Sequence, residues 1–321
     1  MIINIVLLAA GVISHVGFFN NGEHHMHGLQ YLQLCLSVII ISALALIGST
    51  HVASGQAIGA VTHYLGFYLA GLYSSLVIYR LFFHPLKHFA GPFSVKISNL
   101  CFSARLINLN AHKKVLALHE KYGDFVRIGS SDLSIIHPKA PDAIYGRKSK
   151  CTKANWYDLT LPMTSMQTTR KRVEHDKRRK VWGGAFNDTI LRGYEDRIAI
   201  YQKEMHTKIS SYGSKAINVT ELYHQFSFDV MGDLSFGASF NMLKSGGDHG
   251  PIKLLRRGMA PLGLMFPTWC FRLLLAIPGA TGDWFAFKDY CCELLDKRLK
   301  VSIDVSVETS HLQLYGNRQK S

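Results

Sequence analysis

The sequence predicts a mainly α-helical protein with one small β-sheet, preceded by three transmembrane helices. Three observations lead there. Residues 1–79 hold no Lys or Arg and a single acid, Glu23, so all 36 basic residues of the 321 lie further on. Three apolar runs fill that nearly uncharged part. Beyond it, helical periodicity recurs over most of the chain while a strand-like alternation occurs once.

The runs Met1–Phe19 and Leu29–Ser49 each reach the roughly 20 residues that cross a bilayer core, and Ile58–Phe83 exceeds that length. For the first run the alternative is a cleaved secretory signal, but the basic leading segment of such a signal is missing. For the other two it is a buried core helix, yet neither shows the polar stripe of a water-facing side. Cations begin with Arg80, Lys87 and Lys96, directly after the third run, whereas the loops Asn20–Gly28 and Thr50–Ala57 carry none. Basic flanks stay in the cytosol, which places the soluble region there and the N-terminus across the membrane. The six cysteines (35, 101, 151, 270, 291 and 292) form no C-x-x-C spacing and read as thiols of a reducing compartment. Asn187-Asp-Thr and Asn218-Val-Thr would carry glycan only on the lumenal side. His24, His25 and His27 in the first loop can ligate metal, but a short loop at a membrane surface is more simply polar filler, so no metal site is assigned.

In the soluble part, "HPLKHFAGPF" (84–93) is a stiff neck, because Pro85 and Pro92 bar helix just before them. Ala111–Tyr122 is a helix stopped by Gly123. "FVRIGSSDLSIIH" is a β-hairpin around Gly-Ser-Ser-Asp. Another helix begins at Pro138, and Tyr145–Thr169 is a long loop of the kind that is usually functional. Helices follow over Ile190–Ser211, Val219–Phe236, Pro251–Leu264 and Trp284–Lys300, with Asn218 or Thr220 and Asp283 as caps. Asp229, Phe236, Gly237 and Phe240 read as core and turn positions. The organisation is thus an anchor over 1–83, a helical domain over 84–300 and a tail over 301–321.

Between the long loop and the first of those helices, seven of the eleven residues from Arg170 to Lys180 are Lys or Arg. They repel one another unless something anionic is near. A solvated charge run is the bland explanation. A nucleic-acid patch fits poorly with three spans and no interleaved aromatics, so no nucleic-acid partner is expected.

"HPLKHFAGPF", "HEKYGDFVRIGSSDLSIIHPKAPDAIYG", "HDKRRKVWGGAF" and "FSFDVMGDLSFGASFNML" follow one another in this order. That series resembles the membrane-bound cytochromes P-450, the heme-thiolate monooxygenases, in particular their fungal branch, over about Arg80 to Lys300. The resemblance implies a truncated cytochrome P-450-like fold and heme as cofactor. It implies that His175 and Arg179, four apart on one helix face, reach the heme propionates, which suits a guanidinium fork. It implies an NADPH-dependent flavin reductase as electron donor, met by Lys177, Arg178 and Lys180. It also implies an apolar small-molecule substrate and an endoplasmic-reticulum membrane whose lipid holds the anchor. Met163, Met166, Leu262, Met265 and Phe266, in two apolar Pro- or Gly-interrupted segments, are the expected pocket lining.

The family's iron-ligating Cys stands in a loop of the form F-x-x-G-x-R-x-C-x-G, and none of the six cysteines lies in such a context. The family's E-x-x-R pair is also unmatched. No catalytic residue is therefore assigned. The chain reads as about the first three-fifths of such an enzyme, inactive alone, with 301–321 an unrelated tail of the kind a retained intron would encode. The competing expectation is a non-catalytic membrane-bound binding or regulatory protein, or a non-functional product.

Overall fold

The computed structural model describes residues 1–50, 52–246 and 250–318. In chain order the helices are α1 (Ile2–Ser14), α2 (Gly28–Thr50), α3 (Ser54–Ile78), α4 (Phe93–Ile97), α5 (Asn99–Arg105) and α6 (Ala111–Tyr122). Strands β1 (Phe125–Arg127) and β2 (Leu133–Ile135) follow, then α7 (Ala140–Tyr145) and α8 (Arg172–Gly183). The rest are α9 (Asp188–Ser211), α10 (Val219–Phe236), α11 (Met242–Ser245), α12 (Gly250–Met259), α13 (Thr268–Leu275) and α14 (Gly282–Arg318). They form two compact units, 1–172 with 260–280, and 173–259 with 281–321.

In the first unit, three helices are long and apolar enough to cross a membrane, over Ile2–Phe19, Gly28–Ser49 and Ser54–Phe83. The third starts four residues before its apolar run, because the polar Ser54–Ala57 turn is compatible with helix. α1 and α3 run parallel, as Asn4 meets His63 at one end and His15 meets Ser75 and Tyr79 at the other. Glycines let them touch: a Cβ on Gly11 would fall on the Tyr68 carbonyl, and one on Gly71 on the Leu8 carbonyl. His15 and Ser75 share a hydrogen bond of 2.9 Å inside that seam. With no water to satisfy it, such a polar pair belongs between helices. The parallel run also brings the loop after α1 to the end where α3 enters the neck.

The expected stiff neck is a capped joint. His84 caps a 3₁₀ turn over Pro85–His88 by accepting from the Leu86 N–H. Arg127 is fully buried, and its guanidinium donates to the carbonyls of Arg80 (3.1 Å), Gly129 (3.2 Å) and Ser130 (2.6 Å). Gly91 passes so close to the Arg127 carbonyl that a Cβ would collide with it. The last turn of the third span is thereby bonded to the hairpin, whose two strands pair antiparallel with Val126 opposite Ser134. Beside it Val95, Phe102 and Leu106 form a small core covered by Val115, Leu118, Ile128 and Leu264.

The second unit holds a core of Met205, Leu222 and Leu243, with Phe226 packed on it. Asp229 is fully buried and accepts from Ser239 Oγ (3.0 Å) and the N–H groups of Met242 (2.9 Å) and Leu243 (2.8 Å), tying the turn after α10 to that helix. Gly237 closes α10 in the left-handed region at φ +75°, as its expected turn role requires. Asn187 and Asn218, the two glycosylation-type sequons, spend their side chains as N-caps.

Further differences from expectation lie in the last quarter of the chain. The helix expected over Pro251–Leu264 ends at Met259 and gives way to a 3₁₀ turn over Ala260–Leu264, where Pro261 has no N–H to continue the ladder. The helix expected over Trp284–Lys300 runs from Gly282 to Arg318, so Asp283 lies in its first turn instead of capping it. α13 interrupts a segment for which no helix was expected. Residues 319–321 of the tail lie outside the described residues.

Candidate functional site

α8 is built from the basic stretch. Acidic Glu174 stands in its first turn and Lys180 in its last, the arrangement favoured by the helix dipole. His175 is half-buried, and its Nδ1–H donates to Asp176 at 3.0 Å. Arg179, one turn on, is exposed. The two expected propionate contacts thus share one face by their spacing, and Arg179 is in reach of solvent-borne or docked carboxylates.

The expected pocket residues lie in the first unit. Met163 and Met166 sit in the long loop, where Thr160 Oγ1 donates to the Met163 carbonyl (3.2 Å) and Lys153 Nζ to that of Met166 (3.1 Å). Leu262 ends in a turn closed by Met265 N–H at 3.0 Å. Met265 takes a positive φ of 49°, and its carbonyl accepts from Ser103 Oγ at 3.1 Å. Phe266 is half-buried beside it. α13 connects the two segments: Thr268 Oγ1 donates to the Asn155 carbonyl (3.3 Å) and Arg272 to that of Leu161 (2.9 Å).

A third cluster was not expected. Arg170 forks onto Glu23 at 2.8 and 2.6 Å and also meets Asp158, while His25 Nε2 donates to Asp158 at 2.9 Å. The Arg170 pair holds the Glu23 carboxyl below its usual range, the hydrogen bond to Arg170 being the main cause. Glu23, His25 and Asp158 have the geometry of a metal site, with ligand atoms within 4.8 Å of one another. The Arg170 guanidinium already stands against both carboxylates, so the cluster's cation is a side chain. His25 is therefore buried structure, and the polar-filler expectation fails. His24 fails it too, since its ring lies among Phe18, Phe19 and Tyr31 and hydrogen-bonds the Tyr31 hydroxyl at 2.6 Å. The sequence feature that could have pointed there is the solitary acid of the anchor, Glu23.

Compared with known protein families, residues 94–298 match the one described as Cytochrome P450. The chain belongs to the cytochrome P450 family. It is 36% identical over 301 residues to tryprostatin B 6-hydroxylase of Aspergillus fumigatus, covering 92% of this chain and 54% of that protein. Cytochrome P450 monooxygenase notG' of Aspergillus versicolor is 36% identical over 304 residues, covering 92% and 54%. Cytochrome P450 monooxygenase lcsK of Purpureocillium lilacinum is 35% identical over 295 residues, covering 91% and 54%. The chain therefore spans about half the length of the curated relatives it matches. No solved structure matches it.

Membership implies heme, and these residues fit only part of one. His175 and Arg179 suit its carboxylates. Of the cysteines, Cys35 lies in α2, Cys101 in α5, Cys270 in α13, Cys291 and Cys292 in α14, and Cys151 in the long loop. None stands in the family's ligating context.

Proposed function

We propose that this chain serves a membrane-anchored heme monooxygenase that oxidises an apolar small molecule with O₂ and reductase-supplied electrons. The observation that carries this is the pairing of His175 and Arg179 on α8, in a chain about as similar to three fungal monooxygenases over nine-tenths of its length. His175 and Arg179 hold the heme carboxylates, and Met163, Met166, Leu262, Met265 and Phe266 line the substrate side. Lys177, Arg178 and Lys180 give the helix a basic face suited to an acidic flavin reductase. The soluble region faces the cytosol from the endoplasmic reticulum, as the cations after the third span favour. Oxygen activation belongs to heme and thiolate, and no step of it is derived from these residues. The comparisons do not favour the non-catalytic alternative.

Hemin titration of the full chain in detergent, read by quenching of tryptophan emission, tests the reading. Arg179→Ala should weaken hemin roughly tenfold, in line with a charge-assisted hydrogen bond. Hemin dimethyl ester, whose carboxylates are blocked, should bind both forms alike. Equal hemin affinity in the two forms refutes the assignment. We further expect no carbon-monoxide difference band of a thiolate-ligated heme from this chain, and its appearance would make one of the six cysteines an iron ligand.

A further inference from the structure

The long loop, residues 146–171, is tied to itself and to the anchor. Within it, Lys153 Nζ donates to the carbonyls of Met166 (3.1 Å), Gln167 (2.6 Å) and Thr169 (3.2 Å). Arg170 Nε donates to the Lys153 carbonyl at 3.0 Å, which closes the loop at its base. Outward, one tie runs through Arg170 and Asp158 to Glu23 and His25, between the first two spans. The other runs through Thr268 and Arg272 to α13, which packs on α2, with Gly28 facing Trp269. Both outward ties therefore end on the membrane anchor.

The first tie is chemically singular. Glu23 is the one acid among 79 residues without a Lys or Arg, and it meets the one arginine that also grips Asp158. His25 and Asp158 are only 7% and 15% exposed in their side chains, so their bond is shielded from water in a way that a surface ion pair is not. Breaking the Glu23–Arg170 contact leaves the Arg170 cation against Asp158 alone, with the His25–Asp158 bond as what remains of the tie.

We propose that the loop between the first two spans is a clasp: Glu23 and His25, through Arg170 and Asp158, hold the long loop closed, so that the anchor is part of that loop's fold as well as its tether. The contact also requires residues 20–27 to share the membrane face of the soluble region. The clasp's bearing on substrate rests on the monooxygenase reading, because Met163 and Met166 lie in the clasped loop. The clasp itself rests on the contacts alone.

The test uses the full chain in lipid nanodiscs, with chymotrypsin cleavage after Trp156 and Tyr157 as readout and Glu23→Gln, Arg170→Gln and their combination as variants. Glu23→Gln is isosteric at a half-exposed site, so it should fold. It should speed cleavage roughly three- to tenfold, the scale of a forked ion pair at a partly exposed site. The double variant should be cut no faster than Arg170→Gln, since both changes break one contact. Cleavage of Glu23→Gln at the wild-type rate overturns the clasp, and so does a double variant whose effect is the product of the two single ones. Failure here leaves the hemin result untouched, and failure of the hemin test leaves the clasp.

Discussion

The seam between α1 and α3 makes the sharpest prediction. Gly71→Val puts branched carbon where the Leu8 backbone runs, and because a helix's backbone cannot yield as a flexible side chain can, the two helices have to part. Parting costs the His15–Ser75 hydrogen bond of 2.9 Å, about 0.6–2 kcal/mol between membrane helices. Over-packing of a close contact adds about 1–3 kcal/mol. A net loss of about 2–5 kcal/mol lowers the pairing constant of the helices roughly 30- to 5,000-fold if pairing were independent, and less where the connecting chain holds the helices near each other. Asn4 and His63, whose side chains approach to 3.4 Å, mark the far end of the seam. With both replaced by cysteine in a background freed of the natural thiols, a short bismaleimide should bridge them in membranes. Adding Gly71→Val should abolish most of that bridging. Gly66→Val is the control, because a Cβ there meets nothing within 4 Å. Undiminished bridging with Gly71→Val, or equal loss with Gly66→Val, would refute the seam.

Arg127→Met removes a buried donor set and leaves the carbonyls of Arg80, Gly129 and Ser130 unpaired; about 2–4 kcal/mol of destabilisation is expected, and an unchanged thermal midpoint in detergent would count against the joint. Asp229→Asn turns one accepting oxygen into a donor facing either the Met242 N–H or the Leu243 N–H, costing about 1–3 kcal/mol, measurable by urea unfolding of a detergent-held chain. The Glu23 contact has a signed pH dependence. Its carboxyl is depressed in the folded chain, so the contact's stabilisation is present above the ordinary value of 4.5 and is lost as pH falls through the lower folded value. Hydrogen exchange of peptide 146–171, corrected for its intrinsic pH dependence, should rise over that acid window in the wild type and stay flat in Glu23→Gln; parallel curves would sink the claim.

Elements with a local cause were legible in the sequence. α6 ends at Gly123, which takes φ +87°, and α10 spans its expected Val219–Phe236 between Asn218 and Gly237. The hairpin and the three spans needed only alternation and apolar length. Elements set by distant neighbours were not legible. The short helices α4, α5 and α13 carry too few turns to show a period, and α13 owes its place to bonds with Asn155 and Leu161, over 100 residues away. Glu23 and Arg170 stand 147 positions apart, a distance no motif bridges. The His175–Arg179 pair and the pocket segments were read from the family resemblance, with the four-residue spacing on one helix face and the apolar stretches broken by Pro or Gly as support.

The bonded joint at Arg127 gives the third span an azimuth. A guanidinium seated on the Arg80 carbonyl lets the hairpin turn about the membrane normal only as the helix turns. One residue added between Ile78 and His84 would rotate everything beyond by about 100° and lift it by about 1.5 Å, pulling the Arg80 carbonyl away from its cap. The length of that span therefore sets which way the hairpin faces about the helix axis, and drift in that register would be felt as a turn of the joint long before it was felt as a loss of the span.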